Sequence, residues 1–359
     1  MKALIAMSGG VDSSVAALLT KRMGYDCIGC TMKLYENVSH TEENRSRTCC
    51  ALEDTEDARS VAYRLGMPYY VFNFKTDFRS RVIEKFIHCY ESGKTPNPCI
   101  DCNRYLKFER LFDRALLLGC DKIVTGHYAR IEFDGQEYVL KKAMDDAKDQ
   151  SYFLYSMTQE QLSRTIFPLG TLRKAETRRI AEENGFINAA KPDSQDICFV
   201  PDGDYARVIE EYTGRHYPPG AFQTAGGEVL GEHRGIIHYT VGQRRGLGIS
   251  AREPLYVRQI RPEENVVVLG NRDSLFSKTA EVSDFHWISK TIPTAPFRCF
   301  VKTRSRQKEQ SATVYPVGES EVRIVFDKPQ RAITPWQAAV LYDGELVLGG
   351  GEIRKIDGT

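Results

Sequence analysis

The chain has 359 residues, 42% hydrophobic and 27% charged, with ten cysteines and a formal net charge of +1. This is an ordinary globular composition, and its near-neutral charge argues against a general polyanion-coating protein while leaving room for local basic patches. At about 150 residues per domain the length predicts two or three domains, and the absence of an apolar run of about 18 residues argues against a membrane span.

The chain opens on MKALIA, an apolar run too short for a signal peptide, so a cytoplasmic location with reduced thiols is expected. Lys2 to Ala6 reads as a buried strand, and Asp12 to Met23 as a helix with Val15, Ala16, Leu18 and Leu19 on one side. Strands follow at Cys27 to Leu34, Tyr69 to Phe74 and Lys122 to Thr125. Helices are expected at Glu53 to Leu65, Phe78 to Tyr90, Arg104 to Leu118 and Leu172 to Asn184, the last ended by Gly185. The polar residues 36–50 read as a mobile loop. Alternating strands and helices imply a parallel sheet covered on both faces.

After about Asp196 the pattern changes. Residues 201–270 are rich in Gly, Pro and Arg, with short strands at Leu255 to Ile260 and Val266 to Leu269. Strand-length runs follow at Cys299 to Thr303, Ser311 to Val317, Glu321 to Phe326, Ala338 to Tyr342 and Leu346 to Leu348. Turn signals at Asp343-Gly344 and Gly349 to Gly351 separate or close them, which predicts a small antiparallel barrel or sandwich. The expected domains are an α/β nucleotide-binding unit over 1–200, a small central unit over 201–275 and a β-barrel over 276–359.

Ser8-Gly9-Gly10-Val11-Asp12-Ser13-Ser14 joins the first strand to the first helix. Glycines let backbone amides approach an anion at the positive end of the helix dipole. Ser13 and Ser14 add hydroxyls, and Asp12 is a candidate magnesium contact. The loop lacks both the GxxxxGK[ST] and the GxGxxG patterns. It resembles the signature of PP-loop ATP pyrophosphatases, which implies cleavage of ATP between its α- and β-phosphates.

Three cysteines stand out. Thr95-Pro96-Asn97-Pro98-Cys99-Ile100-Asp101-Cys102-Asn103 lies between two predicted helices. With the second starting near Asn103, Cys102 falls at a helix N-terminus, where the dipole favours thiolate. Cys198 sits in a polar stretch, Ser194 to Phe199, where the α/β pattern ends. Such a set can carry a persulfide on one thiol and resolve it as a disulfide with another, or hold an iron–sulfur cluster on three thiolates. Structural zinc would want four ligands, and Cys27-x-x-Cys30 lies on a predicted strand. Cys27, Cys30, Cys49, Cys50, Cys89, Cys120 and Cys299 read as small hydrophobes.

These motifs, together with KFERL (107–111), TGHYAR (125–130), KDQSYFL (148–154), FPLG (167–170), KPDSQDICFV (191–200) and YTVGQRRGLGI (239–249), resemble the tRNA-specific 2-thiouridylase family over most of the chain. That resemblance implies an ATP- and magnesium-dependent transferase that adenylates the C2 oxygen of the wobble uridine of tRNA and replaces it with sulfur. It implies Ala6, Met7, Ser8, Gly9, Gly10, Val11, Asp12, Ser13, Met32 and Gly126 as the ATP site. Cys102 would be the nucleophile or resolving thiol. Cys198 would carry the persulfide from a sulfur donor such as a cysteine desulfurase or relay protein. Asn97, Pro98, Cys99, Lys148, Asp149, Gln150, Arg304 and Ser305 would meet tRNA. Cys99 stands where many members carry an aspartate read as a general base, and Asp101 two places on has different neighbours. The extra thiol makes Cys99, Cys102 and Cys198 an alternative cluster triad.

Lys290, Arg298, Lys302, Arg304, Arg306 and Lys308 form a basic stripe with little acidic offset nearby in sequence, fit either for RNA phosphates or for a solvated strand face. Gln243-Arg244-Arg245-Gly246 adds a second basic loop. A target base must leave its stack to be modified, and Tyr128, Tyr152 and Phe153 are candidate supports, with core packing the stronger reading for Phe153. His127 reads as positioned by its turn rather than as a metal ligand. An amidating PP-loop synthetase would leave Cys198 and the basic barrel without a role, and a non-catalytic RNA binder would need neither SGGVDSS nor Cys102.

Overall fold

A computed structural model describes residues 1–35, 52–193, 197–200 and 202–357. The expected loop over 36–50, with Cys49 and Cys50, and the stretch Ser194 to Asp196 beside Cys198 lie outside the described residues.

The first region runs β1 (Lys2–Ala6), α1 (Val11–Arg22), β2 (Asp26–Lys33), α2 (Leu52–Arg64), β3 (Tyr69–Asn73), helical segments over 75–91 and 98–117, β4 (Lys122–Val124), the hairpin β5 (Arg130–Phe133) and β6 (Tyr138–Lys141), β7 (Thr165–Ile166), and a helix at Lys174–Glu183. Among the described residues, β3-β2-β1-β4-β7 form one parallel sheet. Its strands alternate between two apolar layers, as a doubly covered parallel sheet requires. Ala3 and Ile5 pack with Val15, Val61 and Val124 on one face, and Leu4 packs with Phe78, Phe86 and Phe199 on the other. Phe78 and Phe86 are essentially fully buried, and truncating a phenylalanine so placed to alanine costs about 3–5 kcal/mol.

The central region places β8 (Gly220–Gln223), β9 (Val229–His233), β10 (Tyr256–Arg261) and β11 (Val266–Gly270) in a sheet of order β10-β11-β8-β9. Its Phe222, Val257 and Val267 join the same core as Phe78 and Leu4, so the two regions share one apolar interior.

The C-terminal strands are β12 (Phe276–Trp287), β13 (Phe297–Lys302), β14 (Gln310–Pro316), β15 (Val322–Arg331), β16 (Ala338–Asp343) and β17 (Leu346–Ile356). They pair antiparallel in the order β12-β15-β14-β13-β16-β17, and β12 pairs with β17 to close the barrel. Closure removes the sheet edges. The hairpin β5–β6 attaches to the barrel through Lys141 and Leu346.

Gly349 to Gly351, which read as a turn, lie inside β17. The reason is close approach. A Cβ on Gly349 would fall 2.3 Å from the His286 carbonyl oxygen, one on Gly350 2.7 Å from the Tyr155 ring, and one on Gly351 2.7 Å from the Ser283 carbonyl oxygen. Glycine permits the barrel to sit against Tyr155 of the first region.

Candidate active site

β1 ends at Ala6 and α1 begins at Val11, so the loop between them lies beyond the carboxyl edge of the parallel sheet, the usual ligand position in such folds. Gly10 is the extended N-cap of α1, and Gly9 has φ +78°. A Cβ on Gly9 would fall 2.2 Å from the Asp54 carbonyl oxygen. The turn is stitched from within: the Ser8 N–H donates to Ser13 Oγ (3.1 Å), and Ser13 Oγ donates to the Gly10 carbonyl (3.0 Å). Asn188 braces it from behind, its Nδ2 donating to the Gly9 carbonyl (2.8 Å) and to Ser14 Oγ (2.9 Å). Lys191, three residues on, is paired with Asp54 (2.5 Å) and Asp57 (2.7 Å) at the start of α2.

Ala6, Gly10, Asp12 and Met32 are half-buried, Ser8 is exposed, and Met7, Gly9, Val11 and Ser13 are buried. Met7 is fixed by Thr31 Oγ1, which donates to its carbonyl (2.6 Å). Gly126 follows β4, beside β1 in the sheet. A Cβ there would come 2.9 Å from Asp12 C and Ser13 N, so Gly126 backs the loop itself.

The charge around the loop comes from distant parts of the chain. Both Asp12 carboxylate oxygens accept from Lys174 Nζ (2.7 and 2.8 Å), and Oδ1 also accepts from Tyr128 OH (2.9 Å). Asp193 takes Lys148 (2.7 Å), Lys174 (2.8 Å) and Arg178 (2.5 Å). Burial alone would raise the Asp193 pKa, but the hydrogen bonds from Lys148 and Lys174 outweigh it and bring the group down to about 2. Among the described residues Lys148, Lys174 and Arg178 pair with Asp12 and Asp193, and Lys191 pairs with Asp54 and Asp57, so the cations beside this helix N-terminus are matched by carboxylates, and a polyphosphate would draw them from these pairs. A magnesium contact at Asp12 would have to displace Lys174.

In the cysteine segment the structure shifts a boundary. The helix starts at Pro98, not near Asn103, because proline at the first helical position needs no N–H partner and has its φ already set. Cys99 therefore occupies the first turn, where the dipole acts, and Cys102 lies a turn further in, at the head of a π-helical stretch, Cys102–Arg110. Such wider turns recur at functional sites. Asn97 is the half-buried N-cap and Pro98 is buried; Cys99 is exposed and Cys102 half-buried. Asp101 is buried and pairs with the half-buried Lys85 (2.8 Å), and burial raises its pKa.

Cys198 is half-buried, and its carbonyl accepts from Tyr35 OH (2.5 Å). Ala6, Met32, Cys102 and Cys198 all pack against one apolar cluster under the sheet. Among the described residues no three His, Cys, Asp or Glu side chains gather as metal ligands. Cys99, Cys102 and Cys198 are thus not arranged as a cluster site in this structure. Cys27, Cys30, Cys89, Cys120 and Cys299 are buried, as their apolar sequence settings imply.

The other expected tRNA contacts serve structural bonds as well. Asp149 accepts from the N–H groups of Ala143 (3.0 Å) and Ser151 (3.2 Å) and from Ser151 Oγ (2.8 Å), and Gln150 Oε1 accepts from the Tyr128 N–H (2.9 Å). Arg304 donates to the carbonyls of Val241 and Ala332 (both 3.2 Å) and to Thr334 Oγ1 (2.7 Å), joining the QRRG loop to the barrel, with Ser305 half-buried beside it. The basic stripe is more offset than its sequence shows: Arg298 forms a two-pronged pair with Asp327, and Lys302 lies near Asp149 and Glu309. Arg244, Arg245, Lys290, Arg306 and Lys308 are exposed. Tyr128 and Tyr152 are core residues, and Phe153 is only half-buried. His127 is held between Thr125 Oγ1 (2.7 Å) and Lys107 Nζ (3.3 Å), and burial, then Lys107, pushes its pKa well down.

Lys174, Asn188 and Lys85 were not singled out by the sequence reading. Lys174 and Arg178 share a helix face at i, i+4, a legible signal of paired cations; Asn188 carries none.

Comparison with known proteins agrees with this layout. Residues 1–202 match the family model described as tRNA methyl transferase HUP domain, 206–271 the tRNA methyl transferase PRC-barrel domain, and 277–353 the aminomethyltransferase beta-barrel domain. The chain is 48% identical to the tRNA-specific 2-thiouridylase MnmA of Acetivibrio thermocellus over 355 residues, covering 98% of this chain and 99% of that protein. It is also 48% identical to the MnmA of Clostridioides difficile, covering 99% of this chain and 98% of that one. It belongs to the tRNA-specific 2-thiouridylase family.

Proposed function

We propose that this protein replaces the C2 oxygen of the wobble uridine of tRNA with sulfur, at the expense of ATP. The observation that supports this reading is the SGGVDSS loop at the carboxyl edge of the parallel sheet, with Gly9 and Gly126 packed too closely for a side chain, in a chain 48% identical over nearly its full length to the MnmA of Acetivibrio thermocellus. ATP supplies an adenylyl group that makes the uridine oxygen a leaving group, with pyrophosphate released. The residues at 6–13, Met32 and Gly126 shape its site, and the cations Lys148, Lys174 and Arg178 offset its charge. Magnesium, when bound, would help to offset the phosphate charge, and Asp12 is the residue available to hold it once released by Lys174.

In the sulfur step the terminal sulfur of a Cys198 persulfide attacks C2 and AMP departs with the oxygen. The Cys102 thiolate then attacks Cys198 Sγ, so that a Cys102–Cys198 disulfide forms and the 2-thiouridine sulfur leaves with the electron pair. A thiol reductant resets the pair, and a cysteine desulfurase or relay protein reloads Cys198. Asn97, Pro98, Cys99, Lys148 to Gln150, Arg304 and Ser305 are the proposed tRNA contacts, with Asp149 and Arg304 acting by fixing the backbone that meets RNA.

Separate Cys102→Ser and Cys198→Ser variants test this. Each is expected to form less than about one thousandth of the wild-type 2-thiouridine, as loss of a covalent catalyst does, while binding tRNA as wild type does. Nucleoside mass spectrometry and filter binding read the two quantities. Unchanged thiolation in both variants would sink the mechanism.

A further inference from the structure

The cysteine segment is gripped from one side by the barrel. Gln337 Nε2 donates to the carbonyls of Thr95 (2.8 Å) and Pro96 (3.2 Å), immediately before the Cys99 helix. The Lys94 ammonium lies 3.9 Å from the centroid of the Trp336 ring, whose surroundings also hold the Arg354 guanidinium at 4.5 Å. Arg104, two residues past Cys102, is paired with Asp284 at 2.6 Å. Lys85, bound to Asp101, also lies 3.8 Å from Glu352 of β17.

The barrel backbone is strained at these contacts. Among the described residues the non-glycine positions with positive φ are Asn265, Asp284, Ala332 and Trp336. Asp284 (+48°) and Trp336 (+71°) are the ones that touch the cysteine segment. A tryptophan in the left-handed region is unfavourable and persists where its surroundings over-determine it. Here the Trp336 N–H donates to the Ile353 carbonyl (2.8 Å), and the Ile353 N–H donates to the Gln337 carbonyl (2.9 Å). Strand β17 thereby holds Trp336 and Gln337 in the pose that reaches residues 94–96.

We infer that Asp284, Trp336 and Gln337 form a barrel-borne clamp that sets the position of the Cys99–Cys102 turn for sulfur transfer. They are positioning residues: they touch the segment that bears the thiols, and they act through it. The inference rests on the proposed thiolation for its consequence, but its geometry is independent of that reading. It gives the barrel a part in placing the thiols, beyond any contact with RNA.

Two full-length variants test it. Gln337→Leu removes both donated hydrogen bonds at similar volume. Asp284→Asn removes the charge facing Arg104 and keeps a residue that tolerates positive φ. Each is compared with wild type in two assays: 2-thiouridine formation with kcat and KM for ATP, and iodoacetamide labelling of Cys99 and Cys102 relative to Cys198 by peptide mass spectrometry. The expected result is a kcat lower by about tenfold, as a small misplacement of a reacting group produces, with KM for ATP unchanged and faster labelling of Cys99 and Cys102 relative to Cys198. An unchanged labelling ratio in both variants overturns the clamp, whether or not activity and melting temperature fall together. Altered labelling with unchanged kcat overturns its role in sulfur transfer. If Gln337→Leu fails to fold, Asp284→Asn alone decides by the same criteria. If wild type makes no 2-thiouridine, the functional reading fails, and the labelling ratio still tests the clamp.

Discussion

Gly9→Ala is expected to abolish ATP binding and lower stability by about 3 kcal/mol. At φ +78° a side chain costs about 1–2 kcal/mol. The added Cβ would also sit 2.2 Å from the Asp54 carbonyl oxygen, a backbone atom held where α2 begins. Overpacking against such an atom adds roughly 1–3 kcal/mol. Relief requires the loop to move, and the loop is what cradles the phosphates. Gly24→Ala is the matched comparison: its φ is +86° and its Cβ would meet nothing within 4 Å. It is expected to lose only about 1 kcal/mol, from backbone strain alone, with ATP binding intact. Calorimetric titration with ATP and thermal unfolding of both variants check this, and equal binding by Gly9→Ala and wild type would contradict the loop's assignment.

The second large effect is expected at Lys174. Its ammonium, largely buried, is shared between Asp12 and Asp193, which are far apart in sequence. Lys174→Met leaves two partly buried carboxylates with fewer partners. Breaking a fully buried pair costs about 3–5 kcal/mol; with Asp12 one-third exposed the expected loss is about 1–3 kcal/mol. The pH dependence has a definite sign. Asp193 is held down to about 2 in the folded protein, below the ordinary carboxyl value of about 3.9. Its contribution is therefore full above about pH 4 and lost as pH falls towards 2. The stability gap between wild type and Lys174→Met should be widest near neutral pH and close over that acid range. Denaturant unfolding from pH 7 to pH 2 measures it, and a gap constant with pH would show that Asp193 does not depend on Lys174. Weaker ATP binding at pH 7 is expected in the same variant.

Much of the architecture was legible because it follows local periodicity. KALIA, the helix after SGGVDSS and the YYVFNF strand declare themselves through apolar spacing, and the parallel sheet follows from their alternation. What was illegible depends on contacts distant in sequence. The barrel wraps its glycines against Tyr155 and His286, so Gly349 to Gly351 belong to a strand although three successive glycines read as a turn. Pro98 starts a helix instead of stiffening an approach to one, which moves the dipole's influence from Cys102 to Cys99. The basic stripe looked unpaired because Asp327 and Asp149, which face Arg298 and Lys302, come from elsewhere in the chain; Glu309, which also faces Lys302, stands at the end of the stripe itself.

The candidate site divides the same way. Its loop and its cysteines carry motifs that spacing exposes. Its electrostatics do not, since Lys174 reaches Asp12 across 162 positions and Asn188 reaches Gly9 across 179. The net charge of +1 says nothing of the ion pairs of Lys148, Lys174, Arg178 and Lys191 beside the phosphate loop, which the fold assembles from distant parts of the chain.

The most direct measurement of the central claim follows the products of one reaction: purified protein, ATP, magnesium, a cysteine desulfurase with cysteine as the persulfide donor, a thiol reductant and a tRNA with uridine at the wobble position. The account predicts that AMP and pyrophosphate appear in step with 2-thiouridine at that position, and that neither accumulates comparably when cytidine replaces the uridine. Formation of ADP and phosphate in place of AMP and pyrophosphate, or of 2-thiouridine at an undiminished rate without ATP, would contradict it.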